Sequence, residues 1–101
     1  MASEQKTKIT TKYFAALREI TGKKEEAFEF DGEVDAKKFL EALVARYGKQ
    51  VAEFLLDQKG TLRESLVMLV NGNAVDTSDL SSLKLKNGDL VVILPPIGGG
   101  L

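Results

Sequence analysis

The residues best suited to chemistry close the chain: Pro95, Pro96, Ile97, Gly98, Gly99, Gly100 and Leu101. Two prolines stiffen a segment into an extended form, and glycines that follow are costly to order. From Ile97 to Gly100 the chain can reach roughly 13 Å beyond a preceding strand. Glycine has no side chain to clash, so such a tail can thread a narrow channel in another protein. It would present an unhindered acyl carbon there, as a carboxylate needs in order to be adenylated and then attacked by sulfur or an amine. Fraying tolerates glycine too, but here a fully apolar run, Leu90 to Leu94, leads straight into the segment. Gly100 is therefore the expected point of covalent attachment, with Pro95, Pro96, Gly98 and Gly99 as its arm.

The interior offers far less. The chain contains no His and no Cys, which excludes Ser-His-Asp, Cys-His and thiolate chemistry, iron–sulfur ligation and zinc fingers. Glu25 and Glu26 are adjacent, so in a strand they point to opposite faces and share no proton. Glu33, Asp35 and Glu41 read as solvated charges or helix-end electrostatics. No acidic loop carries calcium ligands at alternate positions, and Gly98 to Gly100 open no helix that could cradle a phosphate. No catalytic residue, metal or bound cofactor is expected.

The elements that must position the tail are legible from periodicity. Thr7 to Ala15 alternates, with Ile9, Thr11 and Tyr13 on one side and Lys8, Thr10, Lys12 and Phe14 on the other, which predicts a strand. Leu17 to Gly22 breaks the alternation and reads as a short irregular link. Ala27 to Phe30 resumes it, with Phe28 and Phe30 on one face, making a hairpin with the first strand. Ala36, Phe39, Leu40, Leu43, Val44 and Tyr47 fall on one helical stripe, opposite Lys37, Lys38, Glu41 and Arg46. Asp35 suits its N-cap, and Gly48 suits the left-handed position past its end. Val51, Phe54 and Leu55 suggest a further turn of helix, and Gly60 lies in a loop. Leu66 to Val70 is a strand that ends at Asn71-Gly72, a hairpin signal, with Asn73 to Val75 returning. Asp76 to Lys86 is polar and anchored by Leu80, Leu83 and Leu85. Asn87-Gly88-Asp89 turns into a last strand, Leu90 to Leu94.

One amphipathic helix covers one face of one sheet, so the fold expected is α+β: a mixed four- to five-stranded sheet grasping one main helix. At 101 residues, 44% hydrophobic and 29% charged with formal net charge −1, the chain suits one soluble domain. It divides into a flexible N-terminus over residues 1–6, a domain over 7–94 and a flexible tail over 95–101. Lysines gather early and acids follow, but no basic stripe carries interleaved aromatics, so no nucleic-acid partner is expected. No leader or spanning segment is evident, which suggests a cytoplasmic protein without a membrane partner.

The first strand running into YFAALREITG, the NG turn after LVMLV, and NGDLVVILPPIGGG together resemble the ubiquitin-like sulfur-carrier family. Its members include the small subunit of molybdopterin synthase, the thiamine-biosynthesis sulfur carrier and the archaeal small modifier proteins. The resemblance runs from Lys8 to Gly100 and implies a β-grasp fold. It implies that an ATP-using, ubiquitin-activating-type adenylyltransferase activates the Gly100 carboxylate, which then becomes a thiocarboxylate. The sulfur would go to the large subunit of molybdopterin synthase or another acceptor. In the alternative, the acyl group passes to a target-protein lysine as an isopeptide. Either way the chain is a carrier and substrate, not a catalyst. The family's mature form ends at the second glycine, whereas Leu101 follows Gly100 here. If Leu101 is native, a processing metalloprotease is implied; if it is foreign to the natural chain, nothing needs removing.

The sheet face opposite the helix is expected to dock these partners. Phe14 shares its alternation with Lys8, Thr10 and Lys12, and so is aromatic on the solvated side. Val92 and Leu94 of the last strand join it, with Leu69 and Ala74 nearby. Leu40 and Leu43, by contrast, should lie in the core.

Overall fold

The computed structural model describes residues 6–95, which form an α+β domain. Its strands are β1 (Lys6–Lys12), β2 (Glu25–Asp31), β3 (Val34–Asp35), β4 (Val67–Val70), β5 (Asn73–Ala74), β6 (Lys84–Leu85) and β7 (Leu90–Leu94). The helices are α1 (Ala15–Thr21), α2 (Ala36–Tyr47) and α3 (Lys49–Leu55). The main sheet runs β2-β1-β7-β4-β5, with β1 and β7 parallel at its centre and every other pairing antiparallel. The expected boundary residues 1–5 lie outside the described residues, and β1 begins at Lys6.

Strand alternation sorts the two faces. Ile9, Thr11 and Tyr13 are buried together with Phe28, Met68, Val91 and Ile93. Against this face lies α2, whose Phe39, Leu40 and Leu43 are at most 2% exposed. Asp35 caps α2 as expected, its carboxylate accepting the Lys38 N–H at 2.8 Å. Gly48 does have positive φ, but its ψ of −149° is not left-handed helical. The chain swings out there and re-enters helix at once as α3, which buries Val51 and Leu55.

The expected irregular link after β1 is instead the helix α1. Seven residues hold only two core contacts at helical spacing, the buried Leu17 and the partly buried Ile20, too few to show a period. It stops at Gly22, which takes the left-handed conformation (φ 73°) and donates its N–H to Arg18 O. β1 and β2 are antiparallel neighbours as expected, but the link between them is a helix. A second sheet, β3 with β6, and a 3-10 turn at Leu80–Ser82 lie in stretches where sequence alone showed only anchors.

Two turns are tied to each other at one end of the sheet. Asn71 (φ 53°) and Gly72 (φ 86°) both have positive φ, as a two-residue hairpin with matching twist requires. The Asn71 side chain accepts from Leu90 N at 2.9 Å and donates to Asp89 at 2.9 Å, across to the Asn87–Asp89 turn. Asn87 in turn accepts from Lys8 N. These bonds set the register of β7 between β1 and β4, and so fix where the tail leaves the domain.

Candidate functional site

The tail leaves from Leu94 into the exposed Pro95. Pro96, Gly98, Gly99, Gly100 and Leu101 lie outside the described residues, so the site on the page is the root of the tail and the face around it.

That face is built by register. Val67 pairs with Leu94 and Leu69 with Val92, and Leu69 also faces Ala74. Cross-strand partners point the same way and residues two apart share a face. Val67, Leu69, Ala74, Leu90, Val92 and Leu94 therefore form one apolar surface on the side away from α2. Leu69, Leu90, Val92 and Leu94 are partly buried, whereas Ala74 is exposed. Phe14 is 46% exposed and extended (φ −130°, ψ 155°), so it continues the β1 alternation. The parallel register Thr10↔Leu90, Lys12↔Val92, extended by two residues, sets Phe14 level with Leu94. Phe14, Leu94 and Val67 then make a row across the sheet where the tail begins.

All five expected interface residues are on this side. Val67 was missed, although at 38% it is the other large exposed hydrophobic among the described residues. Val67 is two residues from Leu69 in β4 and shares its face, so the alternation that places Leu69 there reaches it too; the pairing with Leu94 confirms that position.

The other half of the open face is charged. Lys6, Lys8 and Lys12 of β1 stand opposite Asp31, Glu29 and Glu25 of β2. Lys6 Nζ reaches Asp31 Oδ1 at 2.7 Å, which raises the lysine pKa and lowers that of the carboxyl. The early lysines and the acids that follow them in sequence thus face each other across two strands, and Lys6–Asp31 closes as an ion pair. The face is divided into facing rows of opposite charge on one side and an apolar surface on the other.

Glu25 and Glu26 do point to opposite faces. Glu26 turns inward, with its side chain only 8% exposed. Its Oε2 accepts from both Tyr13 OH and Tyr47 OH, and its Oε1 from Arg46 at 2.9 Å and Lys23 at 3.2 Å. Burial alone would raise its pKa, but the hydrogen bonds from the two tyrosines, Lys23 and Arg46 outweigh this and lower it to about 2. Burial, then hydrogen bonding to Glu26, pushes both tyrosine hydroxyls up. No sequence signal pointed here, because the tyrosines lie 13 and 21 residues away.

Among the described residues no three carboxylates converge to hold a metal ion, and no helix is long and apolar enough to cross a membrane. A groove of about 260 Å³ beside α2 is lined by Leu40, Val44, Ala45, Leu56 and Leu80, with Lys37 and Glu41 as its charged residues. It brings together no nucleophile and base.

Comparison with known proteins bears on the family and the fold. The model of the ThiS family matches residues 11–100. The chain is 28% identical over 92 residues to small archaeal modifier protein 3 of Haloferax volcanii, covering 91% of this chain and 98% of that protein. It is 32% identical over 92 residues to the molybdopterin synthase sulfur carrier subunit of Chlamydomonas reinhardtii, again covering 91% and 98%. The crystal structure of SAMP1 from Haloferax volcanii superposes with a TM-score of 0.75 at 26% identity, covering 92% of this chain and 99% of that one. The fold is the ubiquitin-like β-grasp.

Proposed function

The chain belongs to the ThiS family, and from that premise we propose that it is a ubiquitin-like sulfur carrier working through Gly100. The observation that carries this reading is the apolar row Phe14, Leu94 and Val67 at the root of the Pro-Pro-Ile-Gly-Gly-Gly tail. A partner seated on that row is held where it can receive the tail. Solvent-facing apolar surface that continues onto a reactive arm is what a docked, tail-accepting enzyme would bury.

In the proposed sequence, the Gly100 carboxylate attacks the α-phosphate of ATP in a partner adenylyltransferase and pyrophosphate leaves. Sulfur at the sulfide level from a donor then attacks the acyl carbon and expels AMP, leaving a C-terminal thiocarboxylate. Its sulfur passes to an acceptor such as the large subunit of molybdopterin synthase, and water at the acyl carbon restores the Gly100 carboxylate. The chain contributes the acyl group and the docking face, while the partners supply the catalysis. Where Leu101 is native to the chain, the Gly100 carboxylate exists only once that peptide bond is cut, the task of a processing metalloprotease; otherwise nothing needs removing.

The name of the Haloferax relative favours a second reading, in which the same activated acyl group is passed to a lysine of a target protein. Both readings use one tail. The test compares a form ending at Leu101 with one ending at Gly100, each given ATP, the activating enzyme and a sulfur donor. Intact mass spectrometry should show one oxygen replaced by sulfur in the shorter form alone. Equal charging of both forms would overturn the role given to Gly100. Isopeptide adducts without thiocarboxylate would favour the second reading.

A further inference from the structure

Glu26 poses a physical question that the carrier function leaves unanswered. A carboxylate with 8% exposure and four donors carries a desolvation penalty that a well-packed apolar residue would avoid, so what it contributes depends on holding all four donors in place. Its donors come from different parts of the chain. Tyr13 follows β1, Lys23 lies between α1 and β2, and Arg46 and Tyr47 close α2. One carboxylate therefore ties three elements to the corner from which α1 starts.

Among the described residues two non-glycines have positive φ: Asn71, in the hairpin turn, and Ala15, at this corner. Ala15 has φ 49°, a left-handed conformation that costs an L-residue roughly 1–2 kcal/mol. The Phe14 side chain makes no cap for α1, although Phe14 O accepts from Leu17 N and Arg18 N. The strained corner is held from its N-terminal side. Tyr13 donates its N–H to Lys24 O at 2.8 Å, its ring is 2% exposed and stands edge-on to Tyr47, and its hydroxyl ends on Glu26. The next residue is Phe14, exposed at the tail root.

We propose that Glu26 is a positioning residue for partner docking: it anchors Tyr13 so that the Phe14–Ala15 corner keeps its strained shape and presents the Phe14 ring level with Leu94. This rests on the reading of Phe14 as a docking residue. Backbone strain persists only where the surroundings over-determine it, and the Glu26 cluster is what over-determines this corner. The cluster makes docking cheaper by ordering the aromatic before the partner arrives.

Two measurements test it. The first needs no partner. Backbone NMR relaxation of Glu26→Gln should show order parameters at Phe14 to Leu17 falling from about 0.85 towards 0.6 while α2 and β7 stay rigid. Wild-type values at the corner would overturn the proposal. The second is a double-mutant cycle on affinity for purified molybdopterin synthase large subunit, using wild type, Glu26→Gln, Phe14→Ala and the double variant. Glu26→Gln should weaken binding about tenfold when Phe14 is present and cause no further loss in the Phe14→Ala background, a coupling that general loss of stability does not produce. Weakening that is equal in both backgrounds overturns the proposal but leaves docking by Phe14 intact. Unchanged affinity in Phe14→Ala overturns the docking reading itself.

Discussion

Acidification should destabilise this domain in part through Glu26. Its pKa is 4.5 when unperturbed and about 2 in the folded chain. A depressed folded pKa contributes stability that is present above the unfolded value and is lost as pH falls through the folded one. At 1.36 kcal/mol per unit, the shift corresponds to about 3 kcal/mol, present at pH 7 and lost between about pH 4.5 and pH 2. Domains of this size have total stabilities of about 5–15 kcal/mol, so the loss is a large share. The groups that face Glu26 are Tyr13 from the end of β1, Lys23, and Arg46 and Tyr47 from α2. Tyr13, Tyr47 and Lys23 have their pKa values raised, well away from that window. The assay is urea unfolding of wild type and Glu26→Gln at steps from pH 7 to pH 2. Asp31, Asp57, Asp76 and Asp79 also have lowered pKa values, but both proteins carry them and they cancel in the difference. The wild-type advantage should be of order 3 kcal/mol at pH 7 and shrink steadily below pH 4.5. A difference that stays constant down to pH 2 would refute the reasoning, since the carboxylate would then owe nothing to its charge.

Leu43 is 1% exposed beneath α2, and Leu43→Ala should cost roughly 2–5 kcal/mol in thermal or urea unfolding while the folded fraction binds partners as wild type does. Val67→Lys places a charge within the apolar row and should weaken partner affinity at least tenfold in calorimetry, with Tm almost unchanged because the side chain faces solvent. Ala15→Gly relieves a left-handed residue, at the expense of extra freedom in the unfolded chain, and should be neutral to about 1 kcal/mol stabilising by urea unfolding. An ordinary helical Ala→Gly loses about 1 kcal/mol instead.

Features with a period were legible in the sequence. β7 was bounded correctly at Leu90 and Leu94, and α2 by Asp35 and Gly48, because alternation and helical stripe run long enough there to be distinct. α1 was not, since Leu17 and Ile20 are only two points of a period. β3 and β6, each two residues long, owe their existence to each other: Val34 pairs with Leu85 and Asp35 with Lys84, a match between segments far apart in the chain. The outward face of β7 and the exposure of Phe14 followed from parity. Val67 shares that parity with Leu69, two residues on, but its exposure at the strand's start is set by the fold. The Glu26 cluster depends wholly on tertiary contact. The arm at Gly100 is the reverse case, visible in composition without any fold.

The parallel pairing of β1 with β7 has a mechanical consequence. β1 is the first strand and β7 the last, and they lie side by side at the sheet's centre. A pull applied through the tail against the opposite end of the chain drags β7 forwards and β1 backwards along their common axis. The ladder bonds between them are then sheared together rather than unzipped one at a time. The Asn71, Asn87 and Asp89 ties at the turns add resistance to the same sliding. A domain gripped by its end and drawn into a channel would therefore stretch its arm long before it surrendered its core.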